Sequence, residues 1–144
     1  METIPDGPED LTPAWLAGVL DADRPGSAAG LRAVDCRQVI AGAGLIADLY
    51  RLTLTCEAPP PEFPRSLMVK LPAARPESRA LAAEFGLYQR EVVFYREIAP
   101  TAALRLPRCY GAAFDPASTR FAIVMEDLAP ARAMDPVAGV SAAQ

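Results

Sequence analysis

The chain has 144 residues, which is enough for one compact domain with a hydrophobic core and too few for two ordinary domains. Its 14 basic and 18 acidic residues give a formal net charge of −4, which predicts neither a nucleic-acid-binding surface nor a basic membrane patch. The absence of histidine excludes Ser-His-Asp triads, Cys-His dyads and histidine-containing zinc motifs. Any chemistry must therefore use Lys, Asp, Glu, Cys, Ser, Tyr or backbone groups.

Cysteine usage and the first residues bear on the cellular location. The three cysteines are odd in number, lie far apart and form no CxxC pair, which predicts reduced thiols. The acidic, proline-rich residues 1–10 lack the features of a signal peptide, and no apolar run approaches the ~18 residues of a membrane span. We therefore predict a soluble cytoplasmic protein with no nucleic-acid partner and no membrane partner.

The first predicted element is a helix that follows a flexible tail over residues 1–10. Thr12 is a good N-cap residue, and Pro13 suits the first turn, where its missing N–H costs nothing. The Pro- and Gly-containing stretch 24–30 ends the helix. The apolar residues that share one helical face, and by which the helix would pack, are Leu11, Trp15, Leu16, Val19 and Leu20.

Three strands and a long helix come next. Segments 34–40 and 46–56 are rich in β-forming residues and flank a glycine-containing turn, and a proline-rich loop separates them from a short apolar strand at 67–71. Apolar residues then recur at three- and four-residue spacing over 76–99, which predicts one continuous helix. The predicted packing face of that helix comprises Leu81, Phe85, Tyr88, Val92 and Tyr95.

Two more strands complete a domain that we assign to residues 11–128. The strands at 107–114 and 120–125 flank the sequence Asp-Pro-Ala-Ser-Thr, which is typical of a hairpin turn. The order of elements predicts an α+β fold with a five-stranded antiparallel sheet, one long packed helix and an extra N-terminal helix. The Ala- and Pro-rich residues 129–144 lie outside this domain.

A lysine inside the third strand is the first candidate for chemistry. Strand alternation puts Lys70 and Met68 on the face opposite the core residues of that strand, where Lys70 is either a solvated surface group or a lysine held over phosphates. A phosphate-binding lysine needs a carboxylate to orient it, and Glu84 and Glu91 lie on nearly the same side of the long helix. We favour Glu91, since its aromatic neighbours would fix the helix on the sheet. The alternative is an ordinary surface ion pair.

Gly42 and Gly44 lie in the turn between the first two strands. Glycines let backbone N–H groups approach phosphates closely, although two-glycine hairpins without that role are common. No P-loop and no strand–GxGxxG–helix fingerprint occurs. A glycine turn, a lysine on the next strand and a glutamate on the following helix nevertheless occur in the order of the protein-kinase fold.

Four segments carry a family pattern, which the opening Leu11–Leu16 also fits: Ser66–Leu71, Phe85–Tyr95, Pro107–Tyr110 and Phe121–Leu128. By these segments, residues 10–144 resemble the N-terminal lobe of the aminoglycoside phosphotransferase/choline-kinase superfamily, in its ecdysteroid-kinase-like branch. The resemblance implies a protein-kinase-like N-lobe. It also implies an enzyme that transfers the γ-phosphate of ATP to a small-molecule hydroxyl.

The resemblance implies a role for each candidate residue near the phosphates. Lys70 would hold the nucleotide phosphates and Glu91 would orient Lys70. Gly42 and Gly44 would belong to the loop that covers the nucleotide. Ala47 stands where a third loop glycine would be expected, which is tolerable because this superfamily's loop is looser than that of protein kinases.

The resemblance also implies a hinge and a second lobe. Backbone groups from Glu126 to Leu128 would bind the adenine edge, and Met125 would line the adenine pocket. In this superfamily the catalytic base and the Mg²⁺ ligands lie in the second lobe, of which residues 129–144 would be the start. With no histidine for the catalytic loop and with Asp127 in the wrong context, we expect no catalytic residue or metal ligand in this chain, and no turnover.

Three functions stay open. The first is the ATP-binding lobe of a small-molecule phosphotransferase, with Mg²⁺ bound only together with the second lobe. Its expected partners are ATP, that lobe supplied in trans, or a second copy of the chain. The alternative is a noncatalytic nucleotide- or partner-binding module, a truncated or regulatory pseudokinase-like lobe. The third is an unrelated α+β binding domain in which Lys70 and Glu91 are surface groups. The acceptor substrate cannot be deduced from these residues.

Overall fold

The computed structural model describes residues 3–40 and 46–130, with the side chain of Ile40 excepted. No helix in this part of the chain is long and apolar enough to cross a membrane. Short 3₁₀ turns and one π-helical turn supplement the regular elements. Within the described ranges the α-helices are α1 (Pro13–Asp23), α2 (Pro76–Glu84) and α3 (Leu87–Val93), and the strands are β1 (Leu31–Ile40), β2 (Ala47–Cys56), β3 (Ser66–Pro72), β4 (Cys109–Asp115) and β5 (Arg120–Glu126).

The five strands form one antiparallel sheet in the order β1-β2-β3-β5-β4. β3 is central, and Lys70 in its second half lies opposite Leu49 of β2 and Ile123 of β5. The predicted α+β fold with five antiparallel strands is confirmed. Because β3 is the central strand, Lys70 lies in the middle of the sheet and not at an edge.

The sheet has a hydrophobic core on each face, because consecutive strand residues point to opposite sides. One core, on what we call the α1 face, packs the odd-numbered residues of β3 against α1; it includes Leu16, Val19, Leu20, Leu67, Val69 and Leu71. The other core, on the α3 face, includes Met68, Tyr88, Val92, Phe121, Ile123 and Met125. The predicted docking stripe of α1 is confirmed, and Thr12 caps the helix by accepting a hydrogen bond from the Trp15 N–H at 3.2 Å.

Several of residues 3–10, a segment predicted to form a flexible tail, contact the rest of the domain, although most of the segment is exposed. Pro5 is among the fully buried side chains. The Trp15 indole N–H donates to the Thr3 carbonyl at 3.0 Å, and Asp6 pairs with Arg120 at 2.6 Å. The acidic and proline-rich composition conceals this, because docking depends on one proline and on partners distant in sequence.

The long helix predicted over residues 76–99 is broken into α2 and α3. Gly86 has φ +60°, the left-handed conformation that ends helices and that glycine adopts without a steric penalty. With this break α2 packs on the α3-face core by Ala82, so Leu81 and Phe85 are 44% and 53% exposed, whereas Tyr88 of α3 is buried. The predicted packing face is therefore wrong at its first two positions, since the helical period does not continue through the break.

Gly86→Ala is expected to lower the free energy of unfolding by about 1 kcal/mol, because a left-handed backbone penalises a Cβ. A Cβ at this position would meet nothing within 4 Å, so the cost is one of backbone conformation alone. Gly86→Asn serves as the matched control, since asparagine tolerates this conformation better. Urea unfolding measures both variants. An alanine variant as stable as the parent would mean that the helix is continuous.

Candidate functional site

Lys70 and Glu91 meet on the α3 face of the sheet. The Lys70 Nζ donates to both carboxylate oxygens of Glu91, at 2.6 and 2.8 Å. The two side chains are 27% and 23% exposed, so the pair is partly shielded but open to solvent on one side. Glu84, the other candidate, is exposed on α2.

Tyr88 fixes the helix that carries Glu91. Its hydroxyl donates to the Ile46 carbonyl at 2.6 Å, and its ring stacks on Phe121 with centroids 4.1 Å apart. Burial raises the pKa of Tyr88, which keeps the hydroxyl a donor. Because Glu91 follows Tyr88 by three residues, it lies on the adjacent turn of the same helical side. The helix therefore presents its carboxylate to β3 from an anchored position.

Lys70 is the only lysine of the chain, and the remaining thirteen of its 14 basic residues are arginines. A lysine ammonium is a compact charge with three donors on a flexible stem, whereas a guanidinium is a rigid planar fork. Two of the three donors are directed to Glu91. Among the described residues, no acceptor other than Glu91 contacts the ammonium, and a phosphate oxygen suits such a point charge.

An apolar surface adjoins Lys70 on the same face. Met68 lies opposite Met125 in the pairing of β3 with β5, and both are nearly buried, at 8% and 9% exposure. Leu49 packs against the same cluster from β2. The Tyr95 hydroxyl lies 3.8 Å from the Met125 sulfur. These side chains form a continuous apolar floor beside the ammonium.

Glu126, at the end of β5, is occupied by other partners. Arg105 donates to both of its carboxylate oxygens, at 2.7 and 3.0 Å, and the Arg108 N–H donates to one of them. The Arg105 hydrogen bonds, followed by that from the Arg108 backbone, hold the pKa of Glu126 below its usual range. The Glu126 N–H donates to the Arg108 carbonyl at 2.8 Å. This N–H is therefore engaged by the protein itself, and the predicted role of the Glu126 backbone concerns its carbonyl.

The next two residues differ from Glu126. Among the described residues, no backbone hydrogen bond involves the N–H or C=O of Asp127 or Leu128. The Leu128 side chain is 43% exposed. Backbone groups without a partner among the described residues can in principle pair with the polar edge of a planar ligand. Asp127 and Leu128 are the two predicted hinge residues with such groups.

The remaining predictions concern the two loop glycines and metal binding. Gly42 and Gly44 lie outside the described residues, between the ends of β1 and β2. In the described ranges, no group of three His, Cys, Asp or Glu residues could hold a metal ion. The assembled candidate site therefore consists of the Lys70–Glu91 pair, the apolar floor and the backbone at residues 127 and 128.

A hollow of about 230 Å³ lies elsewhere, on the α1 face. Its lining includes Leu20, Phe63, Arg108 and Tyr110, none of which approaches the Lys70–Glu91 pair. The Lys70–Glu91 pair by contrast lies at the solvent-exposed margin of the α3-face core, with about a quarter of each side chain exposed. A ligand there would be covered on its other side only by additional structure.

A sequence model of the ecdysteroid kinase-like family matches residues 41–132, well over half of the chain. The matched range contains strands β2 to β5, helices α2 and α3, and every residue of the candidate site. The comparison with curated proteins and the comparison with solved structures found no match. The chain therefore belongs to the ecdysteroid kinase-like family, and its five-stranded antiparallel sheet with packed helices has the α+β architecture of a kinase-like N-lobe.

Proposed function

We propose that residues 11–128 form the nucleotide-binding lobe of a phosphotransferase that moves the γ-phosphate of ATP to a small-molecule hydroxyl. The observation that carries the proposal is the central-strand Lys70 held by both oxygens of Glu91, at 2.6 and 2.8 Å. A carboxylate that takes two of the three ammonium donors fixes the direction of the third. Lys70 is then prepared to contact phosphate oxygens, with Glu91 as its orienting partner.

The surroundings of Lys70 fit the rest of ATP. Met68 and Met125 would contact the face of the adenine ring, and the backbone of Asp127 and Leu128 would pair with its polar edge. Leu67, which pairs with Glu126, precedes Lys70 by three residues, or about 10 Å of extended strand. That separation is comparable with the distance between the base and the phosphates of an extended nucleotide.

Three parts of the proposal rest on the family pattern. Gly42 and Gly44 are proposed to cover the phosphates. The described residues do not fit Mg²⁺, so we assign the metal ligands and the catalytic base to a second lobe. The lobe described here is then expected to bind nucleotide without transferring phosphate, because transfer needs metal, base and phosphate positioned together. ATP as ligand and three cysteines without a disulfide favour a cytoplasmic location.

Titration calorimetry of the 144-residue chain with ATP tests the proposal. We expect saturable but weak binding, since one face of the nucleotide stays open, and little change on adding Mg²⁺. Absence of binding at millimolar ATP would contradict the nucleotide site. Tight Mg²⁺-dependent binding would contradict the assignment of the metal ligands to another lobe.

A noncatalytic nucleotide-binding module is the competing function, and it would give the same calorimetric result. Adding a separately expressed second lobe of the family distinguishes the two. Transfer of phosphate to a hydroxyl acceptor in the mixture supports the phosphotransferase. A mixture that binds ATP and transfers nothing supports the noncatalytic module.

A further inference from the structure

The Asp127 carboxylate connects three separate parts of the fold. Its side chain is only 3% exposed, and it contacts the Arg51 guanidinium of β2, with the Arg51 Nε 2.7 Å from Oδ2. The Ser66 hydroxyl at the start of β3 donates to the same oxygen at 2.8 Å. The Ala129 N–H donates to Oδ1 at 3.1 Å. Two neighbouring strands and the segment after β5 therefore meet at one carboxylate.

The negative charge of the buried Asp127 carboxylate is compensated by its hydrogen-bond partners. Burial by itself disfavours the carboxylate, but the hydrogen bonds from Ser66 and Arg51 outweigh it and hold the pKa of Asp127 below its usual range. The Asp127–Arg51 pair is buried only on the Asp127 side, since the Arg51 side chain is 41% exposed. Losing the partners of the buried carboxylate is costly, because its charge is left without compensation. The carboxylate therefore restrains the chain at residue 127 more firmly than an exposed salt bridge would.

Within the described part of the chain, the backbone at this point has no comparable restraint. Neither Asp127 nor Leu128 makes a backbone hydrogen bond to any residue that the structure describes. A segment that leaves a sheet with unpaired backbone groups normally samples several conformations. Here the side chain of Asp127 and its bond to the Ala129 N–H limit that freedom on both sides of Leu128.

We propose that Asp127 is a positioning residue that holds the backbone edge of residues 127 and 128 in the conformation that receives the nucleotide base. This inference rests on the proposed function, because it assigns the recognition of the base within the same site. Asp127 is not a catalytic residue here, since Arg51, Ser66 and Ala129 occupy its oxygens. Its contribution to binding is made through the backbone that it fixes.

Two ligands separate this role from a general loss of structure. ATP would contact both the hinge and Lys70, whereas inorganic tripolyphosphate would contact only the Lys70 end of the site. Asp127→Asn is expected to weaken ATP about tenfold, the scale of one lost charge-assisted hydrogen-bond network, and to leave tripolyphosphate affinity unchanged. Titration calorimetry measures both ligands. Hydrogen exchange over residues 126–130 is expected to become faster in the same variant.

Two further variants make the result interpretable. Ser66→Ala removes a single hydrogen bond to Asp127 and is expected to weaken ATP less than Asp127→Asn does, again without an effect on tripolyphosphate. It remains informative if the asparagine variant does not fold. Asp115→Asn is the matched control, because Asp115 also accepts backbone hydrogen bonds, from Ala117 and Ser118, at the opposite end of β5. It is expected to leave both affinities unchanged.

The outcomes distinguish this inference from the proposed function. Equal weakening of both ligands by Asp127→Asn or Ser66→Ala would overturn the positioning role, as would unchanged ATP affinity in both variants. In either case the proposed function still stands if Lys70→Met weakens ATP and tripolyphosphate together. A parent chain that binds neither ligand would overturn the proposed function and this inference with it.

Discussion

Replacing Lys70 with methionine is expected to lower the affinity for ATP at least tenfold, because the variant loses the side-chain charge that we propose contacts the phosphates. Methionine has a similar length and retains the packing of the stem. The Lys70–Glu91 pair is partly exposed, so its loss is expected to change the free energy of unfolding by no more than about 1 kcal/mol. Calorimetry and urea unfolding together separate the two effects.

The control for this variant is Arg90→Met. It removes an exposed basic residue of α3, next to Glu91. It is expected to leave ATP affinity within about twofold of the parent, as for an exposed charge screened by solvent and salt. Glu91→Gln is expected to weaken ATP less than Lys70→Met, because the amide still accepts one hydrogen bond from Lys70. Equal affinities in the parent and in Lys70→Met would mean that Lys70 is only a surface ion-pair residue.

Tyr88→Ala is expected to give the largest loss of stability, about 3–5 kcal/mol in the free energy of unfolding. Tyr88 is 1% exposed and stacks on Phe121, so its truncation leaves a cavity between α3 and the sheet. Tyr88→Phe retains the ring and removes only the hydrogen bond to the Ile46 carbonyl, for an expected loss of about 1 kcal/mol. Urea unfolding followed by tryptophan fluorescence measures both variants.

The difference between these two variants tests whether packing anchors α3. Similar losses in Tyr88→Ala and Tyr88→Phe would indicate that the ring contributes little and that α3 is held by other contacts. Any folded fraction of Tyr88→Ala is also expected to bind ATP more weakly, because Glu91 is carried by the helix that Tyr88 fixes. Retained ATP affinity in that variant would separate the position of Glu91 from the packing of Tyr88.

Sequence patterns predicted the strands well, because a half-buried strand alternates and the turns between strands contain Gly, Pro or Asp. All five predicted strands occur, with small shifts at their ends; β1 begins at Leu31, three residues before its predicted start. The same alternation put Lys70 and Met68 on one face, and the structure puts Met68 in the core of the α3 face, where Lys70 meets Glu91. Local periodicity is therefore sufficient to predict an element and its buried face where that element is continuous.

The errors concern contacts that local periodicity does not contain. The helical spacing of Leu81 and Phe85 continues through Gly86, and only the left-handed backbone there explains why these two side chains are exposed while Ala82 packs in the core. On sequence alone, the backbone of Asp127 is predicted to contact the adenine edge, but its side chain suggests no role other than that of a misplaced catalytic aspartate. Its partners Arg51 and Ser66 are more than sixty residues away in sequence, so no short motif relates them.

The Lys70 side-chain NMR signal tests the central claim most directly. Because the chain contains one lysine, a sample labelled with ¹³C at the lysine Cε gives a single lysine signal that needs no assignment. We predict that this signal shifts saturably with ATP and with tripolyphosphate, and that adenosine, which lacks phosphates, moves it much less. A signal that stays in place at ATP concentrations up to the millimolar range would contradict the assignment of Lys70 to a nucleotide phosphate site.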